Sequence, residues 1–255
     1  METVKINGIK IAYDYRGHSE PLVLIHGYPL DRATWNELAS LLENDFKLIV
    51  PDLRGLGQSD AVDKVYTVAD LASDLASLLD HLKIQTAFIA GHSMGGYVAL
   101  AFARAYPSRV RGLGLISSQL QADSQERKEG RYKSAADVAE KGVGVVVDAM
   151  TTKLSADVRV QMFVSAVMQR QKPSGLIGSL KAMAERPDSS KLLKTFKFPV
   201  VIVHGDADAL ISVEHGREMK AALAHAHYVE IPNAGHMPMM ENPQVVAEGL
   251  RFLLR

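Results

Sequence analysis

Apolar and polar positions alternate at the start of this chain and then stop alternating. Thr3–Ile6 and Ile9–Tyr13 switch polarity along their length, and Asn7-Gly8 separates them. That spacing predicts a β-hairpin with a type I′ turn at a sheet edge, where one face meets water. Pro21–Ile25, Thr86–Ala90 and Phe198–Val203 are instead continuous apolar runs, the signature of strands buried on both faces. Phe46–Val50, Val110–Ile116 and Tyr228–Pro232 read as further strands. Between them lie helical patterns at about 32–43, at 68–82 with leucines at 71, 75, 78, 79 and 82, and at 97–106, stopped by Pro107. Others span 214–224 and the stretch opened by Asn242-Pro243, with Val246, Leu250 and Leu253 on one face. Strands alternating with helices of this length predict a mostly parallel sheet with helices on both faces.

From Gln119 to Arg186 the rhythm changes. Charged residues crowd Asp123–Lys133, no strand-like run is bounded by turn residues, and helical patterns recur near 135–140, 144–152, 157–169 and 174–184. The stretch reads as an all-helical insertion after the carboxyl end of a strand, the edge where α/β sheets bind ligands. The expected division is a core of 1–118 and 188–255 with a helical cap of 119–187.

The sharpest local signal is Gly91-His92-Ser93-Met94-Gly95, set between the apolar run 86–90 and the helix that follows. A strand that turns at once into a helix forces its central residue into a crowded turn. Glycines two positions either side remove the side chains that would clash. The serine hydroxyl is then presented at the end of the sheet, beside the positive end of a helix. Read without chemistry, the same residues are a glycine-rich turn with a serine cap.

On these motifs the sequence resembles the α/β-hydrolase superfamily, within its serine esterase and haloperoxidase or perhydrolase-like branch. The resemblance covers nearly the whole chain and is weakest between about Ser118 and Pro187. It implies the α/β-hydrolase fold: a mostly parallel central sheet, helices on both faces and a small helical cap. It also implies catalytic residues in the chain order Ser, acid, His. Ser93 is the nucleophile, Asp208 in Gly205-x-x-Asp208 the orienting acid, with Asp206 as the rival, and His236 in Asn233-Ala234-Gly235-His236 the base. The expected oxyanion donors are the backbone N–H groups of Met94 and of Tyr28, in the loop His26-Gly27-Tyr28-Pro29. Pocket walls are expected from Tyr28, Pro29, Leu30, Met94, Met162, Phe163 and Val167, the Met and Phe of the cap reading equally well as the cap's own core. Apolar walls with no obvious basic residue at the mouth suggest a small, largely apolar ester or lactone. Arg127, Lys128, Arg131 and Lys133 form a basic cluster on the cap that reads either as a solvated helix face or as a site for an anionic acyl carrier or thioester.

Composition narrows the alternatives. The 255 residues are enough for a full core without staples, and there is no cysteine for a disulfide, a thiolate metal site or a thiol nucleophile. Lys+Arg and Asp+Glu balance at 29 each, which gives no pull toward nucleic acid or an anionic membrane. No signal-like or membrane-spanning run is visible, so a cytoplasmic protein is expected. Neither a metal nor a cofactor is expected: His225-x-His227 stands alone, and Gly55-x-Gly57 lacks a third glycine. A serine at the elbow argues against dehalogenases and epoxide hydrolases, which place aspartate there. Three readings remain: a carboxylic ester hydrolase working through an acyl-enzyme; the same triad turned to perhydrolysis or C–C bond hydrolysis; and a small-molecule receptor on the hydrolase fold. Oligomeric state has no sequence signal.

Overall fold

The apolar runs assemble into one eight-stranded sheet in the order β1-β2-β4-β3-β5-β6-β7-β8. A computed structural model describes all residues, 1–255. The strands are β1 (Glu2–Ile6), β2 (Ile9–Arg16), β3 (Glu20–Ile25), β4 (Phe46–Pro51), β5 (Ala87–His92), β6 (Val110–Ile116), β7 (Val200–Gly205) and β8 (His227–Ile231). β1 pairs antiparallel with β2, and β2 with β4; every other pairing is parallel. The edge hairpin follows from local chemistry: Asn7 and Gly8 both have positive φ, 47° and 79°, as a type I′ turn requires.

The helices are α1 (Asn36–Leu42), α2 (Val68–His81), α3 (Met94–Ala105), α4 (Gln125–Lys141), α5 (Gly144–Leu154), α6 (Val158–Gln169), α7 (Pro173–Ala184), α8 (Ser190–Leu193), α9 (Glu214–Ala222), α10 (Pro238–Glu241) and α11 (Pro243–Arg251). α2 is opened by a capping box in which the Thr67 hydroxyl accepts from Asp70 N–H and the Asp70 carboxylate accepts from Thr67 N–H. The β3–α1–β4 connection runs one way along the sheet, while β4–α2–β5 and β5–α3–β6 run the other. Right-handed crossovers therefore put α1 on the face opposite α2 and α3. Both faces of the central strands are covered, and Leu22, Leu24, Ile25, Ile89 and Ala90 have no exposed surface.

Chain direction reverses along the sheet between β3 and β5, which are neighbours. The loops leaving their carboxyl ends diverge and open a crevice, the usual place for a ligand in such sheets. The parallel register sets five strand ends side by side: Ile25 faces Gly91, His92 faces Ile116, Ile116 faces Val203 and Gly205 faces Ile231. Above this edge lie α4–α7, between β6 and β7. No helix is long and apolar enough to cross a membrane.

Several elements differ from their sequence pattern, among them α3, which begins at Met94, and the short α8 and α10, which have no sequence signal. β5 continues through Gly91 and His92, because both pair with β6. α4 begins at Gln125, ten residues before its apolar positions start to repeat. Only Ala135 and Val138 of its length are buried, so most of the helix carries no apolar stripe. Its first turn is fixed by the Ser124 hydroxyl accepting from Arg127 N–H.

Candidate active site

Ser93 sits between β5 and α3 with φ 52° and ψ −115°. L-residues avoid this region, and the surroundings impose it. Ser93 N–H donates to Ile116 O at 2.9 Å, and the Ser118 hydroxyl donates to Ser93 O at 3.0 Å. A Cβ on Gly91 would collide with the Gly95 carbonyl, one on Gly95 with the Ile25 carbonyl, and one on Gly96 with the Ser118 hydroxyl. The glycines are therefore steric requirements of the turn.

Asp208 follows β7 and His236 follows β8. His236 Nδ1 and Asp208 Oδ2 are 2.7 Å apart. Nδ1–H donates to the carboxylate, which leaves the Nε2 lone pair free. Asp208 Oδ1 accepts from Leu210 and Ile211 N–H at 2.8 and 2.9 Å. His204 Nε2 lies 3.4 Å from Asp208 Oδ2 and donates to Ile211 O at 2.8 Å. Burial opposes the Asp208 charge, but His236, His204 and the Ile211 N–H together hold its carboxyl well below the usual carboxylate range. The rival, Asp206, is engaged elsewhere: its carboxylate accepts from Asn233 N–H at 2.6 Å and braces the loop before His236.

Ser93 and His236 open on the same cavity, of ≈ 510 Å³. No hydrogen bond joins their side chains. The N–H groups of Tyr28 and Met94 donate to no acceptor in the protein. Met94 begins α3, where the first amides of a helix have no internal partner. The Tyr28–Pro29 peptide bond is cis. Beneath the loop that carries Tyr28, His26 accepts from Leu53 N–H through Nε2 at 3.0 Å. Beside it, His92 Nε2 donates to His236 O at 2.7 Å. Burial, and the adjacent His236 ring, hold His92 well below the ordinary histidine range, so it is neutral.

The expected walls need correction. Tyr28 lines the cavity; Pro29, Leu30, Met94, Met162, Phe163 and Val167 do not. The Leu30 and Met94 side chains are buried in the core, as is Val167, and Phe163 packs half-buried against that core. α6 turns Val160, Val164, Val167 and Met168 inward and leaves Met162 72% exposed. The apolar walls come from Tyr97, Val146, Met150, Leu180, Met183 and Ile211. The mouth is not free of basic residues either: Arg127, Arg131 and Lys153 line it. Of the expected solvated face, Arg131 turns inward and Arg127 reaches the cavity while staying 45% exposed; Lys128 and Lys133 stay outside it, paired with Glu185 and Asp137.

A second set of supports has little sequence signal. The Glu241 carboxylate accepts from the Ser155 hydroxyl, and from Gly235 N–H at 2.5 Å. Burial pushes its carboxyl above the usual range. His236 N–H donates to Leu154 O at 3.0 Å. The histidine loop is thus tied to the junction of α5 and α6. The one clue in the sequence is a lone acid closing the apolar run Met237–Met240.

A family model described as the alpha/beta hydrolase fold matches residues 20–243. A thermophilic esterase from Thermogutta terrifontis, solved with malate bound, superposes with a TM-score of 0.96 at 36% identity, covering 100% of this chain and 98% of that one. An AB hydrolase superfamily protein of Bacillus subtilis is 27% identical over 90% of each chain. An enol-lactonase from Burkholderia xenovorans superposes with a TM-score of 0.91 at 24% identity over the full length of both, a likeness of fold.

Proposed function

The chain belongs to the α/β-hydrolase family, and on that premise we propose that it is a serine hydrolase of carboxylic esters, lactones included, acting through an acyl-enzyme on Ser93. The observation that supports this reading best is a serine on a strained strand-to-helix turn that shares a cavity with an imidazole whose far nitrogen is held by a buried carboxylate. The 36% identity to an esterase over the full chain points the same way.

In this reading His236 Nε2 takes the Ser93 proton as Oγ attacks the ester carbonyl. The oxyanion is received by the N–H groups of Tyr28 and Met94, each donor of this kind contributing about 3 kcal/mol in well-studied cases. The C–O bond to the alcohol then breaks, and His236 returns the proton to the departing oxygen. Water repeats the sequence on the acyl-enzyme and releases the acid. Asp208 fixes the tautomer throughout and offsets the imidazolium charge. Residues 119–187 act as a cap over the core of 1–118 and 188–255, and Tyr97, Met150 and Leu180 give the acyl or alcohol group an apolar wall.

The test is turnover of short-chain p-nitrophenyl esters together with labelling by a fluorophosphonate. Wild type hydrolyses the esters and is labelled at Ser93, and Ser93→Ala does neither while keeping its circular dichroism spectrum. Ester turnover retained in Ser93→Ala defeats the proposal.

A further inference from the structure

We propose that the cavity contains a carboxylate subsite, so that the ester it takes carries a free carboxylate away from the scissile bond. This deepens the proposed function and rests on Ser93 being the nucleophile.

Ser93 and His236 share the cavity with Arg127 and Arg131 from α4 and Lys153 from α5. The chain as a whole has no excess of base over acid, 29 against 29, so this concentration is local. Its counter-charge is incomplete. Arg127, Arg131 and Arg186 converge on a single fully buried carboxylate, Asp123. One carboxylate cannot neutralise three guanidinium groups. The one acid that lines the cavity, Asp137, is engaged by Lys133 and Lys141, at 3.0 and 3.1 Å. Lys153 has no ion pair or hydrogen bond.

The arginines are held to different degrees. Arg186 is locked, with its guanidinium donating to the carbonyls of Met183 and Gln121 and stacked 4.0 Å over the Tyr97 ring. Arg131 is gripped by Asp123. Arg127 is held loosely: its Nε is 3.9 Å from Asp123, and its one hydrogen bond is to Gln119 at 3.2 Å. Most of its five N–H donors are therefore free, and their fork matches a carboxylate. Arg131 and Arg186 supply a fixed positive background, while Arg127 and Lys153 supply the movable donors. A concave, partly apolar site focuses that field. The apolar walls described above exclude a purely polar ligand, and the cations disfavour a purely apolar one. An ester with a short methylene spacer ending in a carboxylate satisfies both. Cleavage of such a half-ester by water gives a dicarboxylate and an alcohol, or an acid and a hydroxy acid, according to the side that bears the charge.

The experiment compares matched pairs: monoethyl glutarate with ethyl pentanoate, and 4-acetoxybutanoate with butyl acetate, each followed by acid release. The expected result is that kcat/KM for at least one charged ester exceeds that of its neutral partner by about tenfold, the scale of one hydrogen bond to a charged group. That ratio falls by about tenfold in Arg127→Met and in Lys153→Met, and stays at the wild-type value in Lys128→Met, whose lysine lies outside the cavity. Neutral esters cleaved as fast as charged ones, or ratios indifferent to Arg127 and Lys153, overturn the subsite while leaving the hydrolase reading intact. If all four esters are inert and Ser93 resists labelling, the hydrolase reading fails. Calorimetry with glutarate then judges the subsite alone: binding lost in Arg127→Met sustains it, and no binding to wild type removes it.

Discussion

Replacing Ser93 by glycine separates the backbone of the elbow from its hydroxyl. At φ 52° and ψ −115°, a residue with a Cβ sits in a region that costs about 1–3 kcal/mol. Glycine enters the same region freely but gives back about 0.5–1 kcal/mol, because it loosens the unfolded chain. Alanine is the proper reference, since it removes the hydroxyl and keeps the Cβ. Ser93→Gly is therefore expected to be more stable than Ser93→Ala by about 1 kcal/mol. In a chain of this length that is about 2–4 °C in Tm. Both variants lose ester turnover, so the gain in stability comes with no gain in function. The assay is urea unfolding by far-UV circular dichroism at pH 7, with calorimetry for Tm. Equal stability, or a less stable glycine variant, refutes the claim that the surroundings hold the nucleophile in a strained conformation.

Asp208→Asn is expected to lower kcat at least about 10³-fold, by releasing the His236 tautomer. It also tests linkage. The Asp208 pKa is depressed in the folded state, so its stabilisation is complete above the ordinary carboxylate range and is lost as pH falls below that range. The urea midpoint of wild type should accordingly begin to approach that of Asp208→Asn only as pH falls below about 5, and go on doing so at lower pH; a constant gap down to about pH 3 contradicts the assignment. Gly95→Ala forces a Cβ into the Ile25 carbonyl and should cost more than about 3 kcal/mol or abolish soluble expression. Gly130→Ala, in α4 where a Cβ meets nothing within 4 Å, should instead add about 0.8 kcal/mol; a loss in thermal unfolding would contradict the helical assignment. Glu241→Ala leaves Gly235 N–H without its acceptor and should cost about 1–3 kcal/mol with a fall in kcat. Wild-type kcat in that variant would mean the histidine loop needs no such support.

The sheet was legible because its central strands are buried on both faces and so read as unbroken apolar runs. The elbow was legible because tight turns admit few residue types; Gly91, Gly95 and Gly96 are there because nothing larger fits. Asp208 and His236 were placed by the resemblance and by chain order, and the structure sets their side chains 2.7 Å apart. The cavity walls were not legible. Apolar residues on α6 give the same periodic signal whether they face a pocket or the core, and here they face the core. The charges on α4 were misread for a related reason. A polar helix has no apolar stripe to fix its rotation, so nothing local distinguishes Arg127 and Arg131, which line the cavity, from Lys128 and Lys133, which do not. Glu241 escaped because its partners, Ser155 and Gly235, are distant or featureless in sequence.

The amide of His236 hangs from the last carbonyl of α5, at Leu154. At the far end of α6, Arg170 grips Asp31, the Gln171 side chain accepts from Gly57 N–H, and Lys172 donates to Ser59 O at 2.9 Å. Tyr66 donates to Gly175 O on α7 at 3.2 Å and Arg159 to Met240 O at 2.7 Å, so the helices over the crevice are riveted at several places, and one rivet is the backbone of the imidazole itself. A door hinged there would drag the proton acceptor out of line each time it swung. Solvent exchange at the His236 amide should therefore be as slow as in the sheet beneath it.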